Sequence, residues 1–177
     1  MTLPRQKLRE AVLQLLFSFD QGVETREHLI ALLMSQLKAS GKNIKEAYLL
    51  AEDIWDKKAD IDKAICALSH AFSLSRIHKT ELQILRIGFY ELIFKAVEIP
   101  PNVVIAEGIR LARKFATPAA SLFINALLDQ QKKKILGEVV DKKVLDGALT
   151  LHEQQSEREK GAALEGEKIT LDKNEIT

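Results

Sequence analysis

His78 stands three residues before Glu81, and His70 stands four after Cys66. On a helix each pair would lie about one turn apart and offer two ligands to a metal ion. Two ligands do not make a site. No further cysteine or histidine completes either pair in sequence, so these residues, with His28 and His152, read as solvated or polar-tipped histidines. Cys66 is the single cysteine; it cannot form an internal disulfide and reads as a small buried apolar residue in a reducing compartment. The glycines form neither GxGxxG nor GxxxxGK, which leaves no readable phosphate cradle, and the carboxylates occupy no recognisable motif. The expectation is a protein that is not an enzyme.

A different chemistry is carried by cations. Arg5, Lys7 and Arg9 open the first helical pattern, Arg76, His78 and Lys79 occupy the link before the most apolar one, and Lys132, Lys133 and Lys134 lie near the end of the last. Such clusters are a solvated face in most proteins, but they also suit a phosphate backbone. Single-stranded RNA is held by backbone charge plus base stacking, and Phe72 and Phe123 are the aromatics near these clusters, although both also sit at core-compatible spacing. The net charge of +1 hides an asymmetry. Residues 141–177 hold nine acids and six bases, net −3, which leaves twenty bases and sixteen acids in residues 1–140, net +4. A mildly basic body permits nucleic-acid binding without demanding it.

The elements that must position these groups are helical. Hydrophobic residues make up 46% of the 177 and charged residues 29%, ordinary for a globular protein, and no apolar run is long enough to span a membrane. Leu8, Ala11, Val12, Leu15, Leu16 and Phe19 recur at helical spacing behind Pro4. Leu13 and Phe17 form a second strip, either packed on two sides or kept for a partner. A second helix is expected over about Thr25–Ala39, capped by Thr25 and ended at Gly41, a third over about Ile44–Lys57, and a fourth over about Ile61–Leu74 capped by Asp60. From Glu81 to Phe94 nearly every face is apolar, which marks a helix buried among others; Gly88 within it suggests close approach of a neighbour. Pro100 and Pro101 end it. The next helix, about Asn102–Phe115, buries Val104, Ile105, Gly108, Leu111 and Ala112 and places Glu107, Arg110 and Lys114 on its other face, read as an outer cationic surface. Thr117 and Pro118 open the last core helix, to about Leu136. Beyond residue 138 charge dominates, and a frayed or disordered tail is expected. The fold class is all-α, a compact bundle of about seven helices with a flexible C-terminal tail.

With these residues in view, the sequence resembles the NusB family of bacterial transcription antitermination factors. "RQKLREAVLQLLFSFD" is similar to the family's Arg-rich start, with Arg9-Glu10 before an apolar helix that ends near Phe17. "SRIHKTELQILRIGFYELIF" resembles its central helix through Arg76, Glu81, Leu85, Arg86, Tyr90, Glu91 and Leu92. "IPPNVVIAEGIRLARKF" is similar to its proline-led segment, and "SLFINALLD" to its closing motif through Phe123, Asn125, Leu127, Leu128 and Asp129. Each motif is loose alone; four in order over about residues 5–135 are specific. Ala106, Ala126, Phe72 and Leu122 depart from residues common in the family, the first three on a plausible core and the last on a plausible RNA-facing edge.

The resemblance implies a NusB-like RNA-binding domain over residues 1–137, followed by a charged tail over 138–177. It implies cytoplasmic transcription regulation: binding of boxA-type single-stranded RNA together with NusE, the small-subunit ribosomal protein, within an elongation complex with RNA polymerase on ribosomal RNA operons. By matching position, Arg5, Lys7, Arg9, Arg86 and Phe123 would serve RNA, while Phe17, Glu81 and Glu91 would lie near the protein partner; Arg86 and Glu91 fit internal ion pairs equally well. No cofactor, metal or membrane is implied. The same fold resembles the N-terminal part of certain ribosomal RNA cytosine methyltransferases, but no glycine-rich cofactor unit or cysteine nucleophile motif is present here. The other alternative is a helical protein adaptor that never touches RNA.

Overall fold

Local capping and apolar spacing set the elements of the computed structural model, which describes residues 3–22, 25–68 and 73–174, with side chains to residue 162. Helices run over Arg5–Gln21 (α1), Arg26–Leu37 (α2), Gly41–Asp56 (α3), Lys58–Cys66 (α4), Lys79–Phe94 (α5), Pro101–Phe115 (α6), Pro118–Ile135 (α7) and Lys142–Asn174 (α8), with one 3₁₀ turn at Leu74–Arg76. All regular structure among the described residues is helical. Thr25 and Thr117 cap α2 and α7 through hydrogen bonds accepted from the His28 and Ala120 amides. Pro101 and Pro118 occupy first-turn positions, where their missing N–H costs nothing.

Two boundaries differ from the sequence reading. Gly41 begins α3 instead of ending α2, because Ser40 accepts a hydrogen bond from the Asn43 amide, while α2 stops at Lys38 in a left-handed conformation. Asp60 lies inside the first turn of α4 and caps nothing; the chain kinks at Lys57, which ends α3 and begins α4.

Helix α5 is the hub. Ile84, Leu85, Ile87, Phe89, Tyr90 and Leu92 are all buried, and α1, α4, α6 and α7 pack around them. Its glycine marks the tightest junction. A Cβ on Gly88 would lie 2.5 Å from Leu128 Cδ2, and one on Gly108 of α6 would lie 2.6 Å from Leu128 Cδ1. Leu128 of α7 is fully buried, so its methyls are locked between two glycine backbones and three helices meet at van der Waals distance.

The hub is not purely apolar, and its polar side chains act as spokes. Glu91 reaches α1, Tyr90 bonds Asp53 of α3, Arg86 reaches Asp62 of α4, and Glu81 meets His152 of α8. A buried polar group is costly unless paired, so the Glu91, Tyr90 and Arg86 spokes each fix the register of a different neighbour.

The segment after residue 138 begins as a packed helix. Leu145, Leu149 and His152 recur at i, i+4 and i+7, and this one stripe buries the start of α8 against α7. The remaining faces of this stretch are polar, which is why overall composition hid it.

Candidate nucleic-acid interface

The side chains assigned by resemblance separate into an exposed group and a buried group. Arg5 and Lys7 are exposed at the start of α1, and Lys7 lies 3.2 Å from Glu10. Phe17 follows on the same helix with 39% of its surface accessible. It borders a groove shared with Leu13, Thr80 and Phe115, so the second apolar strip of α1 is packed at Leu13 and open at Phe17.

Arg9, Arg86, Phe123, Glu81 and Glu91 lie inside the bundle. Arg9 donates from Nε to Glu91 Oε1 at 2.8 Å and from Nη2 to Glu91 Oε2 at 3.2 Å, a bidentate pair, with Glu107 3.6 Å away. Burial pushes the Glu91 carboxyl above the usual carboxylate range, and the Arg9 guanidinium opposes that push. Arg86 forms a second bidentate pair, from Nε and Nη2 to Asp62 at 2.9 and 2.8 Å, and also donates to Gln83 at 3.1 Å. Of the two uses open to Arg86 and Glu91, the geometry has both in internal ion pairs. Phe123 is 1% accessible and stacks on His152, ring centroids 4.5 Å apart. Helix α8 therefore covers the aromatic proposed as a stacking platform.

The face of α6 read as an outer cationic surface meets α1. Arg110 donates to Glu10 at 2.7 Å, and Lys114 to the same carboxylate at 2.9 Å. Burial pushes Glu10 up, but hydrogen bonds from Lys114, Arg110 and Lys7 outweigh it and hold the pKa at about 2. Sequence reasoning missed Glu10 as the centre of this network because its partners lie 100 and 104 residues away. Arg113 stays exposed on α6.

The other two cationic clusters are partly engaged. Arg76 lies 2.5 Å from Glu153 of α8, Lys79 is 3.6 Å from Asp20, and Lys133 is 3.2 Å from Asp129. Lys132 donates to Asn102 and Lys134 is exposed. Of the family departures, Ala106 and Leu122 are exposed, so Ala106 is not a core position, and Ala126 is half-buried. Phe72 and His70 lie outside the described residues. No described helix is long and apolar enough to cross a membrane.

An all-α bundle around one buried hub, with exposed basic side chains where α1 begins and an apolar groove farther along it, defines a helical binding scaffold. The model of the NusB family matches residues 6–133. The chain is 34% identical over 125 residues to the transcription antitermination protein NusB of Geobacter sulfurreducens, covering 69% of this chain and 88% of that protein. It is 36% identical over 134 residues to the protein of the same name from Elusimicrobium minutum, covering 73% and 94%. A solved structure of T. maritima NusB superposes with a TM-score of 0.64 at 27% identity, over 82% of this chain and 99% of that one. The chain belongs to the NusB family of transcription antitermination proteins.

Proposed function

We propose that this protein binds boxA-type single-stranded RNA jointly with NusE and so supports processive transcription by RNA polymerase on ribosomal RNA operons. The observation that carries the reading is the family match over residues 6–133, from α1 into α7. Two surface features support it. Arg5 and Lys7 stand exposed at the start of α1, within reach of phosphate even though Lys7 also donates to Glu10, and Phe17 offers the one large apolar side chain of α1 that remains open to a protein partner. In this reading Arg9 and Arg86 act by positioning: they hold α1 and α4 on the hub. Glu81 and Glu91 likewise shape the partner face from within. No step is catalytic.

Fluorescence anisotropy of a labelled boxA-type RNA, beside a scrambled RNA and with or without NusE, tests this reading. Selective binding strengthened by NusE is the expected result; binding indifferent to both sequence and partner contradicts it. The burial of Arg9, Arg86 and Phe123 favours a second reading, a protein adaptor that docks through the Phe17 groove without RNA. That alternative predicts NusE binding with no RNA affinity at low salt.

A further inference from the structure

The start of α5 gathers three groups that the sequence keeps far apart. His78 precedes the helix in extended backbone, Glu81 points inward from its first turn, and His152 arrives from α8. One ligating atom from each lies within 4.8 Å of the other two. Glu81 and His152 are 2% and 3% accessible, whereas His78 is exposed.

The pairing within this cluster is incomplete. His152 Nε2 stands 2.8 Å from Glu81 Oε2, yet the contact makes no hydrogen bond: Oε2 has no hydrogen-bond partner, and neither does His152 Nδ1. Buried polar atoms are nearly always bonded, so the Glu81 oxygen needs an account. An ion that accepts lone pairs from Glu81 Oε2 and from one ring nitrogen of His152 supplies it.

We propose that His78, Glu81 and His152 form a binding site for a divalent transition-metal ion of the zinc class, which clamps α8 to the start of α5. Two imidazoles and one carboxylate are a donor set that suits zinc, with a fourth position left to solvent. Calcium and magnesium need six or more oxygen ligands or several retained waters, and a single carboxylate beside two imidazoles is poorly matched to them. In a tetrahedral array with bonds of about 2.1 Å the ligand atoms lie roughly 3.4 Å apart. The 2.8 Å contact opens slightly, and the exposed His78 ring, hinged outside the core, closes the longer separations.

The surroundings suit a cation. The Glu81 carboxylate offsets half of its charge, and Arg76 on the rim has the counter-charge of Glu153 at 2.5 Å. Phe123 stacks on the His152 ring and fixes its plane, while Ser156 of α8 lies 3.1 Å from His78 Nε2 and steadies that ring. A cleft bordered by Arg76, Ser156 and Lys160 gives the ion a path from solvent. The site owes nothing to the RNA reading.

Calorimetric titration of the chelator-stripped full chain with Zn²⁺ tests the proposal, together with His78→Ala and His152→Gln. The wild type is expected to take up one equivalent, and each substitution to weaken that event by more than the roughly 10–100-fold typical of removing a supporting residue. Because His78 is exposed, His78→Ala keeps the bundle intact, which circular dichroism checks, and remains informative if His152→Gln loosens α8. Zn²⁺ should raise the melting temperature of the wild type and not of His78→Ala, since an ion that binds only the native state stabilises it. No one-to-one uptake by the wild type, or uptake unchanged in His78→Ala, overturns the proposal.

Discussion

The two ends of α5 bury glutamates in opposite conditions. At the C-terminal end both oxygens of Glu91 are bonded by Arg9, and the pairing continues through Glu107, Arg110, Glu10 and Lys114. Every member of that network lies within the stretch matched by the family. At the N-terminal end Glu81 is as deeply buried, but its neighbour His152 comes from beyond residue 133, and its Oε2 has no hydrogen bond. A closed network holds helices in register; an open one leaves lone pairs for something else to use. The contrast also separates two kinds of arginine: Arg9 is consumed by the closed network, while Arg5, one turn earlier on α1, remains exposed.

The strongest test of the closed end is Arg9→Ala. It strands Glu91 without its bidentate partner, and breaking such a buried pair costs about 3–5 kcal/mol, readable in urea denaturation. A change within about 0.5 kcal/mol, as for an ordinary surface residue, breaks the comparison.

Acid titration probes the same network next. Glu10 has its pKa lowered from 4.5 to about 2, so its contribution is fully present above the ordinary value and fades as pH falls from about 4.5 through about 2. The loss across that window is on the order of 3 kcal/mol. Burial raises the Glu91 carboxyl, which gives the opposite slope, so the difference between wild type and Glu10→Gln isolates the Glu10 effect. Equal acid profiles for the two proteins contradict the network.

Gly88→Ala sharpens the account of the hub itself. The new methyl would stand 2.5 Å from a buried Leu128 methyl; overpacking of about 1–3 kcal/mol is partly offset by about 1 kcal/mol of helix propensity. A net loss of roughly 1 kcal/mol in denaturant midpoint analysis is expected.

The hub, its double-proline end and two helix caps were legible in the residues, because each is written locally. Helix α5 is apolar on almost every face from Leu82 to Phe94, Pro100 and Pro101 admit one interpretation, and Thr25 and Thr117 cap as their positions suggest. Gly88 was legible too, although the partner it makes room for, Leu128, was not. Gly41 misled because glycine occurs at either end of a helix, and Asp60 because aspartate suits the N-cap and the first turn alike; the local bond at Ser40 and the kink at Lys57 decided the outcome. Helix α8 stayed hidden because Leu145, Leu149 and His152 are a narrow stripe in an otherwise charged run. The candidate site was least legible. Arg9 and Arg86 look like RNA contacts by type, and only the fold shows that Glu91 and Asp62, 82 and 24 residues distant, already occupy them. His78 and Glu81 form half of a cluster whose third member lies on α8.

The smallest stability effect belongs to Arg5, and it carries the functional distinction. Arg5→Glu should change the unfolding free energy by no more than about 0.5 kcal/mol, since the side chain is exposed. The most direct measurement is therefore the salt dependence of boxA-type RNA affinity, with NusE present, for this variant beside the wild type. The account predicts weaker binding and a shallower salt slope at unchanged stability, because phosphate contacts release counterions. Affinity and slope equal to the wild type would contradict the placement of RNA on the exposed start of α1.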